Sequence, residues 1–260
     1  MNSSPKAILN LTLAATFVAA YMVCFAASPQ TRVQVPFVGC PADGQVGYID
    51  PPDGTPRSVT LREVPVETIA YYKGAHAPGA FAPRGWHCHV WYGSSGAVLV
   101  VTPQLLDSAP GSAWPPKTGG FAVELRFDDG GTSGRFEVAK YALLFFPGSA
   151  AQFIQEVNGL LDIKISQRSL QAFAKDSVKA ISNSLGEFVT PSNSEGFGTE
   201  QFLKASSEPI TGVVFLDQSL PEWPNLVALR MRLSPTEPQL KSALLRLNRE
   251  CMEDKNCSTR

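Results

Sequence analysis

The feature that most constrains what this chain can fold into is the stretch Ala82–Pro103, APRGWHCHVWYGSSGAVLVVTP. Trp86–Tyr92 is rich in aromatic residues and Ala97–Thr102 is apolar and β-branched, so both read as strands. Between them Gly93-Ser94-Ser95-Gly96 supplies the backbone freedom of a tight reversal, and the pair reads as a β-hairpin. The second strand is apolar on both of its faces, which predicts a central strand with other elements covering both sides. Alternate residues of a strand share a face. Trp86, Cys88, Val90 and Tyr92 therefore line one side, expected to face the core with Cys88 reaching a disulfide partner. His87, His89 and Trp91 line the other, which sets two imidazoles beside an indole.

The first 27 residues have the layout of a secretory signal peptide. Lys6 provides the positive start, Ala7–Ala20 is almost free of polar side chains, and Ala26, Ala27 and Ser28 offer a cleavage site. Retention as a membrane anchor is the alternative, since the apolar run approaches spanning length. Removing residues 1–27 deletes one of the 22 basic residues, Lys6, and none of the 23 acidic ones, leaving a net charge of −2. Such a chain offers no basic patch for nucleic acid, and membrane contact is expected only through the leader, if it is retained.

Export changes the meaning of the cysteines. Cys24 falls in the leader, and Cys40, Cys88, Cys251 and Cys257 remain, an even set that predicts disulfides with three connectivities open. Nearness in sequence favours Cys40–Cys88 and Cys251–Cys257. The paired C-x2-C spacing of structural zinc is absent.

Along the rest of the chain, Val33–Val38 and Val59–Val64 read as strands, and Glu67–Tyr72 fits a short helix or a strand. The prolines at 51, 52 and 56 exclude regular structure around them. Phe121–Phe127 alternates apolar residues with Glu124 and Arg126, a half-buried strand pattern, and Arg135–Phe146 fits a strand or a helix, with the strand pairing back favoured by the preceding Asp128–Gly131 turn. Helices are predicted after a Ser149 cap, over Ser169–Leu185, and over Glu237–Glu250. The last carries Leu240, Ala243, Leu244, Leu247 and Cys251 on one stripe, with Thr236 and Gln239 forming a capping box. Strands are also expected at Val213–Leu216 and Leu226–Leu233. The order of elements predicts one α+β domain over residues 28–260, with a mainly antiparallel sheet and two or three packed helices. A boundary near residue 148 would divide it into a β-rich and a helix-rich half.

Phe37-Val38-Gly39-Cys40-Pro41-Ala42-Asp43-Gly44-Gln45 and Ala82-Pro83-Arg84-Gly85-Trp86-His87-Cys88, followed by Tyr92-Gly93-Ser94, resemble a group of uncharacterised secreted proteins of Gram-negative bacteria. The resemblance covers Phe37–Pro103, and His89 is not part of its pattern. It implies export and a link between the two cysteine motifs, and it brings no activity with it.

For chemistry, His87 and His89 form an H-x-H pair that can place two imidazoles on one zinc or copper ion. His76 and Asp128, Asp129 or Glu124 are the residues available to complete such a shell. The competing reading is two histidines on an ordinary strand face. Trp91, Tyr92 and Trp114 are candidates for an aromatic surface that takes sugar or peptide, against core packing. Arg84, between Pro83 and Gly85, is a candidate anion contact. No G-x-S-x-G elbow, phosphate loop or calcium loop is present in the sequence. The sequence names no catalytic set and no cofactor. The expectation is therefore a periplasmic or secreted protein with a non-enzymatic binding or structural role toward a protein or glycan partner in the envelope. The alternative is a metal-binding protein or metal-dependent enzyme using His87 and His89.

Overall fold

The computed structural model describes residues 32–45, 47–106, 117–160 and 164–254. The expected signal peptide, Trp114 and Cys257 lie outside the described residues. No helix among those described is long and apolar enough to cross a membrane.

The chain opens with four short strands, β1 (Arg32–Val35), β2 (Phe37–Gly39), β3 (Ala42–Gly44) and β4 (Arg57–Thr60). Then come β5 (Ile69–Lys73), β6 (Ala80–Pro83), β7 (His87–Gly93), β8 (Gly96–Thr102) and β9 (Ala122–Asp128). Helices α1 (Arg135–Phe145) and α2 (Ala151–Gly159) precede β10 (Ser177–Ala180) and β11 (Leu185–Thr190). Two long strands, β12 (Ile210–Asp217) and β13 (Asn225–Arg232), lead to the last helix, α3 (Pro238–Glu253). The fold is α+β, with mostly antiparallel sheets.

The main sheet has eight strands in the order β10-β11-β12-β13-β9-β8-β7-β3, with β3 parallel to β7 and every other pair antiparallel. The strand expected to be covered on both faces, β8, lies inside it between β9 and β7. Ala97, Leu99 and Val101 of β8 enter one core, with α3, β5 and β6, while Val98 and Val100 enter a second, with α1 and α2. Because β9 pairs with β13, the segments before and after residue 148 share this one sheet.

Several local expectations are corrected. Arg135–Phe145 is a helix, with Val138, Tyr141, Ala142 and Phe145 on its buried side. A hairpin return was impossible because β8 and β13 occupy both edges of β9. The helix expected over Ser169–Leu185 is a short 3₁₀ segment, Gln167–Phe173, followed by the β10–β11 hairpin. Ser182 breaks the helical pattern by accepting hydrogen bonds from the amides of Ser184 and Leu185 at 3.3 and 3.1 Å. Ser149 caps nothing; its hydroxyl donates to the Asn183 carbonyl at 2.6 Å. Nor does Thr236 cap α3. It bonds Ser234, and Pro238 takes the first helical position, where its missing N–H costs nothing. Pro36 splits the first expected strand in two, so that β1 pairs with β4 and β2 with β5.

Among the described residues the disulfide Cys40–Cys88 ties the segment after β2 to β7, with 5.4 Å between the α-carbons. This bond belongs to an oxidising compartment rather than the cytoplasm. The second expected pair, Cys251–Cys257, includes a residue outside those described.

Candidate functional site

Of the sequence-predicted residues, Arg84, His87, His89, Trp91 and Tyr92 lie on β7 or on the turn that enters it. In that turn, Arg84 and His87 are exposed and Trp86 is half-buried. Gly85 adopts φ 83°, a left-handed conformation suited to glycine. Three attachments hold the turn. The Tyr72 hydroxyl donates to the Pro83 carbonyl at 2.8 Å and accepts from the Trp86 amide at 3.2 Å, bracketing the turn from below. The Arg84 amide donates to the Thr68 carbonyl at 2.9 Å. One residue beyond His87, Cys88 is covalently fixed to Cys40. Burial pushes the Tyr72 phenol up to about 12, so the bracket stays protonated throughout the neutral range.

His87 and His89 do share a strand face, but not one environment. His87 is exposed, whereas His89 is 8 % exposed and its Nε2 has no hydrogen-bond partner. Desolvation holds the His89 imidazole below the usual histidine range, against the pull of Asp43. Its ring lies 4.4 Å from that of Trp91. The residues named to complete a metal shell are engaged elsewhere. Glu124 binds Arg230, Asp128 binds Arg126, and the Asp129 carboxylate closes its own turn on the Gly131 amide. The His76 ring lies beside Tyr92, 6.2 Å between centres. Among the described residues no group of three or more His, Cys, Asp or Glu side chains is placed to hold a metal ion.

The expected aromatic surface is corrected at Trp91, which is 4 % exposed and packs in the second core. The face that carries it is covered like the first, because α1 and α2 lie over it. Tyr92 is half-buried and packs on the opposite core, its hydroxyl accepting from the His76 amide at 2.9 Å. Trp114 lies outside the described residues.

Sequence reasoning missed a buried charged lattice on the Trp91 side of the sheet. Glu124 and Arg126 were expected on a solvated strand face, yet they are 0 % and 7 % exposed. Glu124 stands directly across from Arg230 in the β9–β13 register and binds its guanidinium at 2.9 Å. The other Glu124 oxygen accepts from the Phe202 amide at 3.0 Å. Arg230 also donates to the Phe197 carbonyl and lies 4.3 Å above the Phe197 ring, itself at the centre of Tyr141, Phe145, Phe173 and Phe188. Two residues along, Arg126 grips one oxygen of Asp128 at 2.7 Å and lies 3.4 Å from the Tyr141 hydroxyl, which in turn donates to Glu200. Lys140 closes the chain of contacts on Glu200 at 2.9 Å. Opposite charges two residues apart on one strand, with Arg230 and Arg232 on another, are the signal that could have revealed this lattice.

Asp128 is the titratable member. It is 1 % exposed, its second oxygen has no hydrogen-bond partner, and burial lifts its carboxyl from 3.8 to about 6 despite Arg126. Between those values the folded chain holds a proton that the unfolded chain releases, so this group's contribution to stability falls as pH rises from 4 to 6. Urea denaturation at intervals across this range is expected to show up to about 1.4 kcal/mol per pH unit of slope that Asp128→Asn abolishes. Parallel curves for the two proteins would disprove it.

Comparison of the chain with protein-family models, with curated proteins and with solved structures returned no match.

Proposed function

We propose that this chain is an exported binding module of the cell envelope or secreted space, periplasmic or released, whose contact point is the turn Arg84–His87. The observation that carries this reading is the anchoring of that turn. A disulfide, a buried phenol and a backbone bond anchor the turn while Arg84 and His87 face solvent with no ion pair among the described residues. Immobilising a contact segment before binding lowers the entropy lost on association, the general advantage of a preorganised site. Arg84, Trp86 and His87 together offer the guanidinium, indole and imidazole that suit an envelope protein or glycan.

The wild-type protein and an Arg84→Ala/His87→Ala variant, presented to envelope extract with cross-linking and to a glycan array, test this. A discrete bound species lost in the variant, with the melting temperature unchanged, is the expected result; equal capture by both proteins refutes it. A second reading, metal binding at His87 and His89, draws support from the neutral, unpartnered His89 Nε2. Zinc and copper calorimetry on the same two proteins separates the readings, since that one predicts stoichiometric uptake by the wild type alone.

A further inference from the structure

The loop joining β12 to β13 ends in a tip, Leu220-Pro221-Glu222-Trp223, on which Leu220 is 62 % and Trp223 53 % exposed. Its backbone is braced on both sides. The Trp223 amide donates to the Leu220 carbonyl at 3.0 Å, and the Ser219 amide to the Asp217 carboxylate at 3.0 Å. Gly130 of the neighbouring turn approaches so closely that a β-carbon there would lie 2.1 Å from the Pro224 carbonyl oxygen, and its amide donates to the Asn225 side chain at 3.1 Å. Pro221 and Pro224 have no N–H, so covering the tip desolvates few backbone donors.

A groove of about 540 Å³ lies between the C-terminal half of α1 and α2. Leu143, Pro147, Ala151 and Ile154 give it apolar lining, and among the described residues that line it Lys164 carries the charge. Asn158 holds the backbone next to that lysine by both of its amide atoms, donating to the Ile165 carbonyl at 2.9 Å and accepting from the Ile165 amide at 2.6 Å. Leu160, 63 % exposed, adds apolar surface where α2 ends. Tip and groove adjoin: Gln218 at the base of the tip donates from Nε2 to the carbonyl of Ser149, two residues before Ala151, at 3.1 Å. Glu222 and Lys164 are both exposed, and neither forms an ion pair among the described residues.

We infer that this chain pairs with a second copy of itself, the Leu220–Trp223 tip of each copy seated in the α1–α2 groove of the other. An apolar protrusion and an apolar groove side by side make a surface complementary to itself, which a two-fold contact requires. Glu222 of one protomer then meets Lys164 of its partner, and this pairing sets the direction of docking. A tryptophan entering an apolar pocket is the kind of anchor that concentrates binding energy at protein interfaces. A bilayer suits the tip less well, because hydrocarbon offers the carboxylate between its two apolar residues no partner. The Arg84–His87 turn stands at the opposite end of the strands and stays clear of the contact.

Analytical ultracentrifugation of the whole exported protein over a wide concentration range tests this. The wild type is expected to pass from monomer to dimer as concentration rises. Leu220→Ser/Trp223→Ser is expected to stay monomeric, with its melting temperature in dilute solution unchanged. Lys164→Glu sets like charges against each other and should weaken the dimer roughly tenfold or more, and Glu222→Lys/Lys164→Glu should restore it. The Arg84→Ala/His87→Ala variant should dimerise like the wild type. A wild type that is monomeric at every concentration, or a dimer untouched by the tip variant, overturns the pairing. In the monomeric case, flotation with phosphatidylcholine vesicles that the tip variant loses would assign the tip to a bilayer instead.

Discussion

Glu124→Leu is expected to lower the stability of this protein by about 3–5 kcal/mol, the cost of leaving a buried guanidinium without its counter-ion. Arg230 is 0 % exposed, and Glu124 is the carboxylate at ion-pair distance from it among the described residues. Arg230 would keep its bond to the Phe197 carbonyl and its stack on the Phe197 ring, neither of which neutralises its charge. Arg230→Met strands Glu124 in the same way. The double variant Glu124→Leu/Arg230→Met should cost clearly less than the sum of the two, because the charges leave together and an apolar pair remains. Urea denaturation of the four proteins closes the cycle. Single-variant losses below 1 kcal/mol, or simple additivity, would refute the buried pair as a coupled unit. Since a domain of this kind carries only about 5–15 kcal/mol of net stability, the single variants stand near the limit of folding. Glu124→Gln, which keeps an acceptor for the Phe202 amide, is the milder substitute.

Cys40→Ala/Cys88→Ala should lose about 4 kcal/mol on the chain-entropy account, because the bond closes a loop across a sequence separation of 48. That loop holds β3 to β6 and the proline-rich segment 50–56, which has no regular structure of its own. Freed from Cys40, β3 would be held at the sheet edge by three residue pairs with β7. The expected result is a drop in the urea midpoint for the double-alanine protein. A change under 1 kcal/mol would show that the unfolded chain is already confined there.

The hairpin around Gly93–Gly96 was legible because its evidence is local: two apolar runs, a glycine reversal, and an alternation that divides Cys88 from His89. The stripe on α3 was legible for the same reason, and Leu240, Ala243, Leu244, Leu247 and Cys251 are all buried. The 135–145 helix was not. The preceding turn suggested a hairpin, and only the occupation of both β9 edges excludes one. Of the site, the positions of Arg84, His87 and His89 on and before one strand followed from spacing alone. Their exposure did not, since a strand pattern says which side chains share a face and nothing about what covers that face.

The sequence by itself determined the periods: which segments alternate, which turn at glycine, and where proline removes a donor. Those are properties of neighbouring residues, set by backbone sterics and side-chain spacing. Only the tertiary structure decided that the polar side of β9 is buried rather than wet. Glu124 meets Arg230 across a separation of 106 residues, and no local pattern records such a meeting. Desolvating a charge is costly unless a partner arrives with it, so the fate of Glu124 depends on how β13 and α1 close over the sheet.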